Sequence, residues 1–179
     1  MNSKRLIFWA ALFCALLGYV VVFQKSAPHK EKTTNAQLVK VFSFPADSIE
    51  KIELRIGTQT AKLVRKKTGW ESDSPAHTGI TQDTFESLLS TIEGLIKIEV
   101  VSEGTKDLRQ YGLENPGSSI ALYRAGDVNP VILDIGSDTP TGVSMYAMLQ
   151  GSNEVIQVGT LLRFSIKSFL NMQTPALSR

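Results

Sequence analysis

The chain has 179 residues, 42% hydrophobic and 20% charged, with one Cys, two His and a formal net charge of +2. That length holds one domain of about 100–150 residues plus an extra segment, and it excludes a full-length α/β barrel or a large multidomain machine. One Cys excludes an intrachain disulfide and a Cys-rich zinc site, two His make a His-based metal or catalytic cluster a poor expectation, and the small charge gives no footprint for nucleic acid.

Mean hydropathy is near zero, which points to a local concentration of apolar residues. Leu6 to Phe23 is an uncharged run of 18 residues, LIFWAALFCALLGYVVVF. As a helix it spans roughly 27 Å, about one bilayer core. Trp9 and Tyr19 lie near its ends, where interfacial aromatics are common. A cleaved signal peptide is the rival reading, but its apolar region is usually about 7–15 residues. Cleavage after Ala27 would also put Lys25 at the −3 position. Phe13 before Cys14 is too bulky for lipoprotein processing. The expectation is a tail at 1–5, an uncleaved signal anchor at 6–23, a linker at 24–37 and a domain at 38–179. The bilayer is then the partner of Leu6 to Phe23. Lys4 and Arg5 precede the span and Lys25, Lys30 and Lys32 follow it, so the charge bias is close to a tie. A short basic tail ahead of an apolar segment resembles an export signal. The N-terminus is therefore read as cytoplasmic, and the domain as extracytoplasmic or periplasmic beyond a bacterial inner membrane. Residues 1–36 hold five basic residues and one acid, which leaves 14 basic and 16 acidic residues elsewhere, a net of −2. The slight basicity belongs to the membrane flanks.

Residues 24–37, QKSAPHKEKTTNAQ, contain no large apolar side chain and read as a solvated spacer. Leu38 to Phe42 is a short strand pattern, and Pro45 to Ser48 a turn. From Ile49 to Ile56, apolar residues at 52, 54 and 56 alternate with charges at 51, 53 and 55, a strand with one wet face. Gly57 to Gln59 turns the chain and Thr60 to Lys66 returns as a hairpin. Lys67 to Gly69 is a further turn, followed by Trp70. Ser74 to Thr81 reads as a loop. Thr81 is a plausible N-cap and Asp83 suits the helix dipole. Phe85, Leu88, Leu89, Ile92, Leu95 and Ile96 then follow at helical spacing, predicting a helix over 81–96. Ile98 to Val101 reads as a strand. Ser119 to Arg124, Val131 to Ile135, Ser144 to Leu149 and Glu154 to Val158 read as a meander with tight turns. Thr160 caps a last helix to about Asn171, carrying Leu162, Ile166, Phe169 and Leu170. The fold class is α+β, a mostly antiparallel sheet with two packed helices, preceded by a single transmembrane helix. Both halves run strands first and then a helix, without a residue-level repeat.

No catalytic signature appears. His29 and His77 have no His or Cys at ligand spacing, so no metal and no cofactor are expected. Gly136 to Gly142, GSDTPTG, lacks the lysine of a phosphate cradle and reads as a turn flanked by Asp134 and Asp138.

Two stretches carry a family resemblance. One is Asp107 to Pro116, a D-L-x-x-Y-G-L-x-x-P pattern. The other is Ile135-Gly136, then Thr139-Pro140, Gly142 and Tyr146. Before them come I-x-x-I-x-L at Ile49 to Leu54, L-x-R at Leu63 to Arg65, Trp70 and Pro75. Together they resemble a bacterial envelope family catalogued as a domain of unknown function, number forty-three forty, over about residues 42–165. Members often follow one N-terminal membrane span, and some occur beside components of gliding-motility-type ABC transporters. The family has no established catalytic residues. The candidate interaction or structural residues are Trp70, Tyr111, Gly112, Leu113, Pro116, Gly136, Pro140 and Tyr146. Gly112 would allow a positive φ, Tyr111 and Leu113 would anchor a turn, Pro116 would stiffen the start of a strand, and Gly136 and Pro140 would shape the next turn.

These features are expected of an anchored accessory or scaffolding subunit of a membrane protein complex, one associated with a transporter. The alternative is a ligand-binding sensor, with a pocket between the sheet and the helix at 81–96 lined by Trp70, Tyr111 or Tyr146. An envelope hydrolase would need clustered acids, or a nucleophile beside a base. Oligomeric state stays open, because any edge strand can pair with another chain.

Overall fold

The computed structural model describes residues 38–73, 80–104 and 107–172. The apolar run Leu6 to Phe23 with Cys14, the spacer with His29, the loop with Pro75 and His77, and the tail with Pro175 lie outside the described residues. Among the described residues, no helix is long and apolar enough to cross a membrane.

The alternation in the first half builds a three-stranded meander, β1 (Ile49–Ile56), β2 (Gln59–Lys66) and β3 (Gly69–Ser72). The sequence does not mark β3 beyond Trp70, because four residues are too few for an alternation to register. α1 (Gln82–Glu93) and β4 (Glu99–Glu103) follow. The second half is β5 (Ser118–Arg124), β6 (Val131–Asp138), β7 (Ser144–Leu149), β8 (Glu154–Gly159) and α2 (Leu161–Met172). All eight strands join one sheet in the order β3-β2-β1-β5-β6-β7-β8-β4. Every strand pair is antiparallel, so the α+β class holds.

The two meanders run outward from the central pair β1 and β5. In that pair Ile52 sits opposite Leu122 and Leu54 opposite Ile120. A bulge between Ile49 and Lys51 resets the alternation, so Ile49 and Ile52 are both buried despite their odd spacing. β4 is the exception to chain order. After α1 the chain crosses to the far edge and pairs with β8.

Both helices cover one face. Phe85, Leu88 and Ile92 of α1 and Leu162, Ile166, Phe169 and Leu170 of α2 pack with Ile52, Leu54, Leu63, Ile120, Leu122, Leu133, Ile135, Met145, Ile156 and Val158. Phe85 and Phe169 tilt together at 5.5 Å between centroids. α1 stops three residues short of the predicted end. Gly94 donates to Ser90 O at 2.9 Å and Leu95 to Ile92 O at 3.2 Å, and the chain then leaves for the sheet edge. Leu95 stays in the core, which is why it fits the helical period without being helical. Thr81 has the extended backbone of an N-cap, but its side chain makes no cap hydrogen bond and meets the Thr84 hydroxyl at 3.0 Å instead.

Leu38 to Phe42 is not a strand. Only Lys40 bridges, to Ile96, with Val41 N–H donating to Leu95 O at 2.9 Å and Lys97 N–H to Val39 O at 2.8 Å. Ala46–Ser48 forms a 3-10 turn.

The sheet edges differ. Trp70 of β3 has both backbone groups satisfied by the Gln82 carboxamide, which accepts from Trp70 N–H at 3.1 Å and donates to Trp70 O at 2.9 Å. Gln82 thus stands in for a neighbouring strand and blunts that edge. Beyond its start, β4 has no such cover among the described residues.

Candidate functional site on the open face of the sheet

The face turned away from the helices carries the intervening residues of the same strands. On β1 these are Lys51, Glu53 and Arg55, which lie opposite Tyr123, Ala121 and Ser119 of β5. Ser119 in turn lies opposite Asp134 of β6, and Ala121 opposite Ile132. Among the described residues, the layer over this face is the segment around the 3-10 turn Arg109–Tyr111.

That segment is the Y-G-L motif, and it docks on the second motif. Gly112 takes φ 67°, a left-handed conformation that costs glycine no Cβ clash. A Cβ there would lie 2.8 Å from Ser137 N. Gly136 sits on β6 directly beneath, and a Cβ on it would run into Tyr111 O and come within 3.0 Å of Leu113 Cγ. Leu113 is buried there, outside the helix-side core. Tyr111 meets Tyr146 of β7 edge-on at 5.0 Å. Pro116 O accepts from Arg55 Nη2 at 3.1 Å, and Arg55 Nε donates to Ser119 Oγ at 3.1 Å.

The structure therefore brings together Tyr111, Gly112, Leu113, Pro116, Gly136 and Tyr146, and leaves two candidates elsewhere. Trp70 is buried on the helix face, with the Arg65 guanidinium 6.0 Å from its ring. Pro140 is exposed in the β6–β7 turn. Gly136 is not part of that turn, because β6 continues to Asp138. The turn is held by Gly142 N–H to Thr139 O at 2.8 Å and by Thr139 N–H to Ser144 O at 2.9 Å. The pocket expected between sheet and helix cannot be lined jointly by Trp70, Tyr111 and Tyr146, since Trp70 lies on the opposite face from the two tyrosines.

Beside the docked motif a groove of about 250 Å³ opens over β1, β2 and β5. Arg55, Lys62, Tyr123, Ile132 and Gln150 line it. Lys51 Nζ contacts Glu53 Oε1 at 2.7 Å and lies 4.2 Å from the Tyr123 centroid, while Lys62 reaches the same Glu53 oxygen at 3.7 Å. The hydrogen bond from Lys51 holds the Glu53 carboxyl below its usual range against the opposing effect of burial. The same bond lifts Lys51 above its usual range.

Asp134 is 6% exposed. Its Oδ2 accepts from Gln150 Nε2 at 2.9 Å, whereas its buried Oδ1 has no hydrogen-bond partner among the described residues. Buried carboxylate oxygens are costly to leave unpaired, and Gln150, which holds the other oxygen of Asp134, lines the groove. In the sequence Asp134 stands only as half of an acid pair with Asp138. Asp138 instead pairs with Arg163, which also donates to Gly136 O. A better signal was present: one acid inside the apolar run Val131 to Ile135. Arg55, Ser119 and Gln150 had no such signal, because only the strand order makes them neighbours. Among the described residues, no group of three or more His, Cys, Asp or Glu side chains could hold a metal ion.

The family described as Domain of unknown function (DUF4340) matches residues 70–177. The chain belongs to this family. The match starts at Trp70 and omits β1 and β2, which connect β3 to the rest of the sheet. Tyr111, Gly112, Leu113, Pro116, Gly136 and Tyr146, the candidates gathered on the open face, all lie within the matched span. No curated protein and no solved structure matches the chain significantly.

Proposed function

We propose that this DUF4340 chain is a membrane-anchored accessory or scaffolding subunit of a membrane protein complex, with a transporter as the class of complex its resemblance suggests. The anchor would be Leu6 to Phe23, in a bacterial inner membrane with the N-terminus cytoplasmic and the domain outside. The observation that carries the reading is the open face. One side of the sheet has two helices packed on it, whereas the other has the Y-G-L segment beside a groove lined by Glu53, Arg55, Lys62 and Tyr123. Such a surface suits an extended segment of a partner. Mild detergent extraction and affinity pulldown are expected to recover stoichiometric membrane partners. Ala121→Glu, in the groove, is expected to lose them while leaving the thermal midpoint nearly unchanged. Recovery of a lone monomer under several mild conditions overturns the reading.

A second reading, a ligand-binding sensor, is favoured by the unpaired Asp134 Oδ1. The groove lies below the roughly 300–1,000 Å³ usual for small-molecule sites, so its ligand would be small and would donate a hydrogen bond. On this reading Asp134→Asn abolishes ligand-induced thermal stabilisation. If the substitution merely raises stability by about 1 kcal/mol, by neutralising a buried charge, the sensor reading falls.

A further inference from the structure

The outer surface of the helix layer carries large apolar side chains that are left in solvent. Leu161 is 64% exposed and Phe164 68%. With Lys167, also exposed, they recur every third residue and form one ridge of α2. The corresponding ridge of α1 is small and polar. It carries Asp83, Ser87 and Ser90, all exposed, at helical spacing. The two helices run antiparallel. The start of α1 and the end of α2 share a hollow of about 510 Å³, where Asp83 and Ser87 stand beside Phe164 and Ser168. The end of α1 and the start of α2 share another of about 370 Å³, where Ser90 and Gly94 stand beside Leu161. Along the helix axes Leu161 is therefore level with Ser90, Phe164 with Ser87, and Lys167 with Asp83. Bulky side chains lie level with small ones, and a cation with an anion.

We infer that the helix layer is the interface of a homodimer, in which the two ridges meet across a two-fold axis. An axis parallel to the helices, above the groove between them, puts α2 of each copy over α1 of the other at an unchanged level. Leu161 and Phe164 then face Ser90 and Ser87 of the second copy and close over the two hollows, while Lys167 meets Asp83. Each contact occurs twice, as an isologous interface requires. The product is a bundle of four helices, each antiparallel to its neighbours. An axis across the helices fits less well. It would set α1 on its own copy, with Asp83 and Glu86 in two acidic ridges, and would leave Lys167 no anion to face. A partner of another sequence would have to reproduce both the size match and the charge match, which a second copy already carries. Exposed apolar patches of this kind mark interaction surfaces.

The interface lies on the opposite side of the sheet from the Arg55 groove. It therefore stands apart from the accessory-subunit reading, and a dimer leaves the groove of each copy open to a partner.

Sedimentation of the full chain in mild detergent, with a charge swap between two variants, tests this. The native chain is expected to sediment as a dimer, and Phe164→Glu as a monomer. Lys167→Glu sets two acids together at both contacts, and Asp83→Lys sets two cations together. Each variant alone should dimerise at least about tenfold more weakly than the native chain. Mixing the two should restore a dimer, because every contact in the mixed pair again joins a cation to an anion. A misfolded variant could not regain dimerisation in this way. A monomeric native chain would overturn the inference and assign the ridge to another occupant, a bilayer surface or an unrelated protein. Single variants that dimerise as tightly as the native chain, or a mixture that stays monomeric, would also overturn it. No readout depends on recovering a membrane partner, so a failed pulldown and a failed dimer are separable.

Discussion

The two faces of this sheet are built from the same strands and obey different rules. On the helix side, Ile52, Leu122, Leu133 and Val158 are fully buried under α1 and α2, and almost any apolar side chain of similar volume would serve there. On the open side, Lys51, Glu53, Arg55 and Tyr123 are half-buried, and each is fixed by a named partner. Six of the eight candidate residues singled out in the sequence gather on the second face. The difference suggests that the helix side makes the domain stable, while the open side holds what distinguishes it from other small α+β domains.

The largest effect tests whether the faces share one folding unit. A fragment limited to the matched span, 70–177, lacks β1 and β2. That strands β3 and bares Ile120 and Leu122 on β5. It is expected to lose cooperative urea unfolding, whereas residues 38–179 keep it. A cooperative transition for 70–177 would mean that the meanders fold independently.

Next comes the helix-side core. Phe169→Ala removes a ring that is 1% exposed and packed on Phe85, and should cost about 3–5 kcal/mol in urea titration. A cost below about 1 kcal/mol would mean that the helices rest only loosely on the sheet.

Gly136→Ala sharpens the contrast on the open side. Its Cβ meets the backbone oxygen of Tyr111, which cannot rotate away as a flexible side chain could. A loss of about 1–3 kcal/mol is expected, with a change in the near-UV signal of Tyr111 and Tyr146. If stability falls without that spectral change, the Y-G-L segment is not what the alanine displaces.

The smallest effect is electrostatic. Because the folded pKa of Glu53 is lowered, its contribution is full above the unfolded value and fades as pH falls through the folded one. Lys51 is raised, so its contribution holds below the unfolded value and fades as pH rises through the folded one. Glu53→Gln should flatten both limbs of the stability–pH profile, by under about 1 kcal/mol because the pair is partly solvated. An unchanged acid limb would show that the pair contributes nothing.

Much of this was legible along the chain. The alternation at 51–56 specified β1, and the helical period at 85–92 specified α1, because both depend on neighbours within a few residues. The motif residues could be singled out, but not their meeting place. Gly136 read as a turn glycine because Gly142 closes the same stretch. Only the docked Tyr111 carbonyl reveals why a side chain is excluded there. Asp134 looked like half of an acid pair, until β6 and β7 put Gln150 on one of its oxygens and left the other unpaired.

The sequence by itself determined the α+β class, most strand and helix segments apart from β3 and the stretch 38–42, the concentration of apolar residues in 6–23, and the family. Composition and short-range periodicity are local properties and can be read without coordinates. Only the tertiary structure decided that β4 crosses to pair with β8, that Trp70 and Tyr111 lie on opposite faces, and that Arg55, Ser119 and Asp134 form one row. A period of two assigns each side chain to a face of its strand, but not the strand that will lie beside it. That choice depends on how the crossover through α1 packs against the whole sheet.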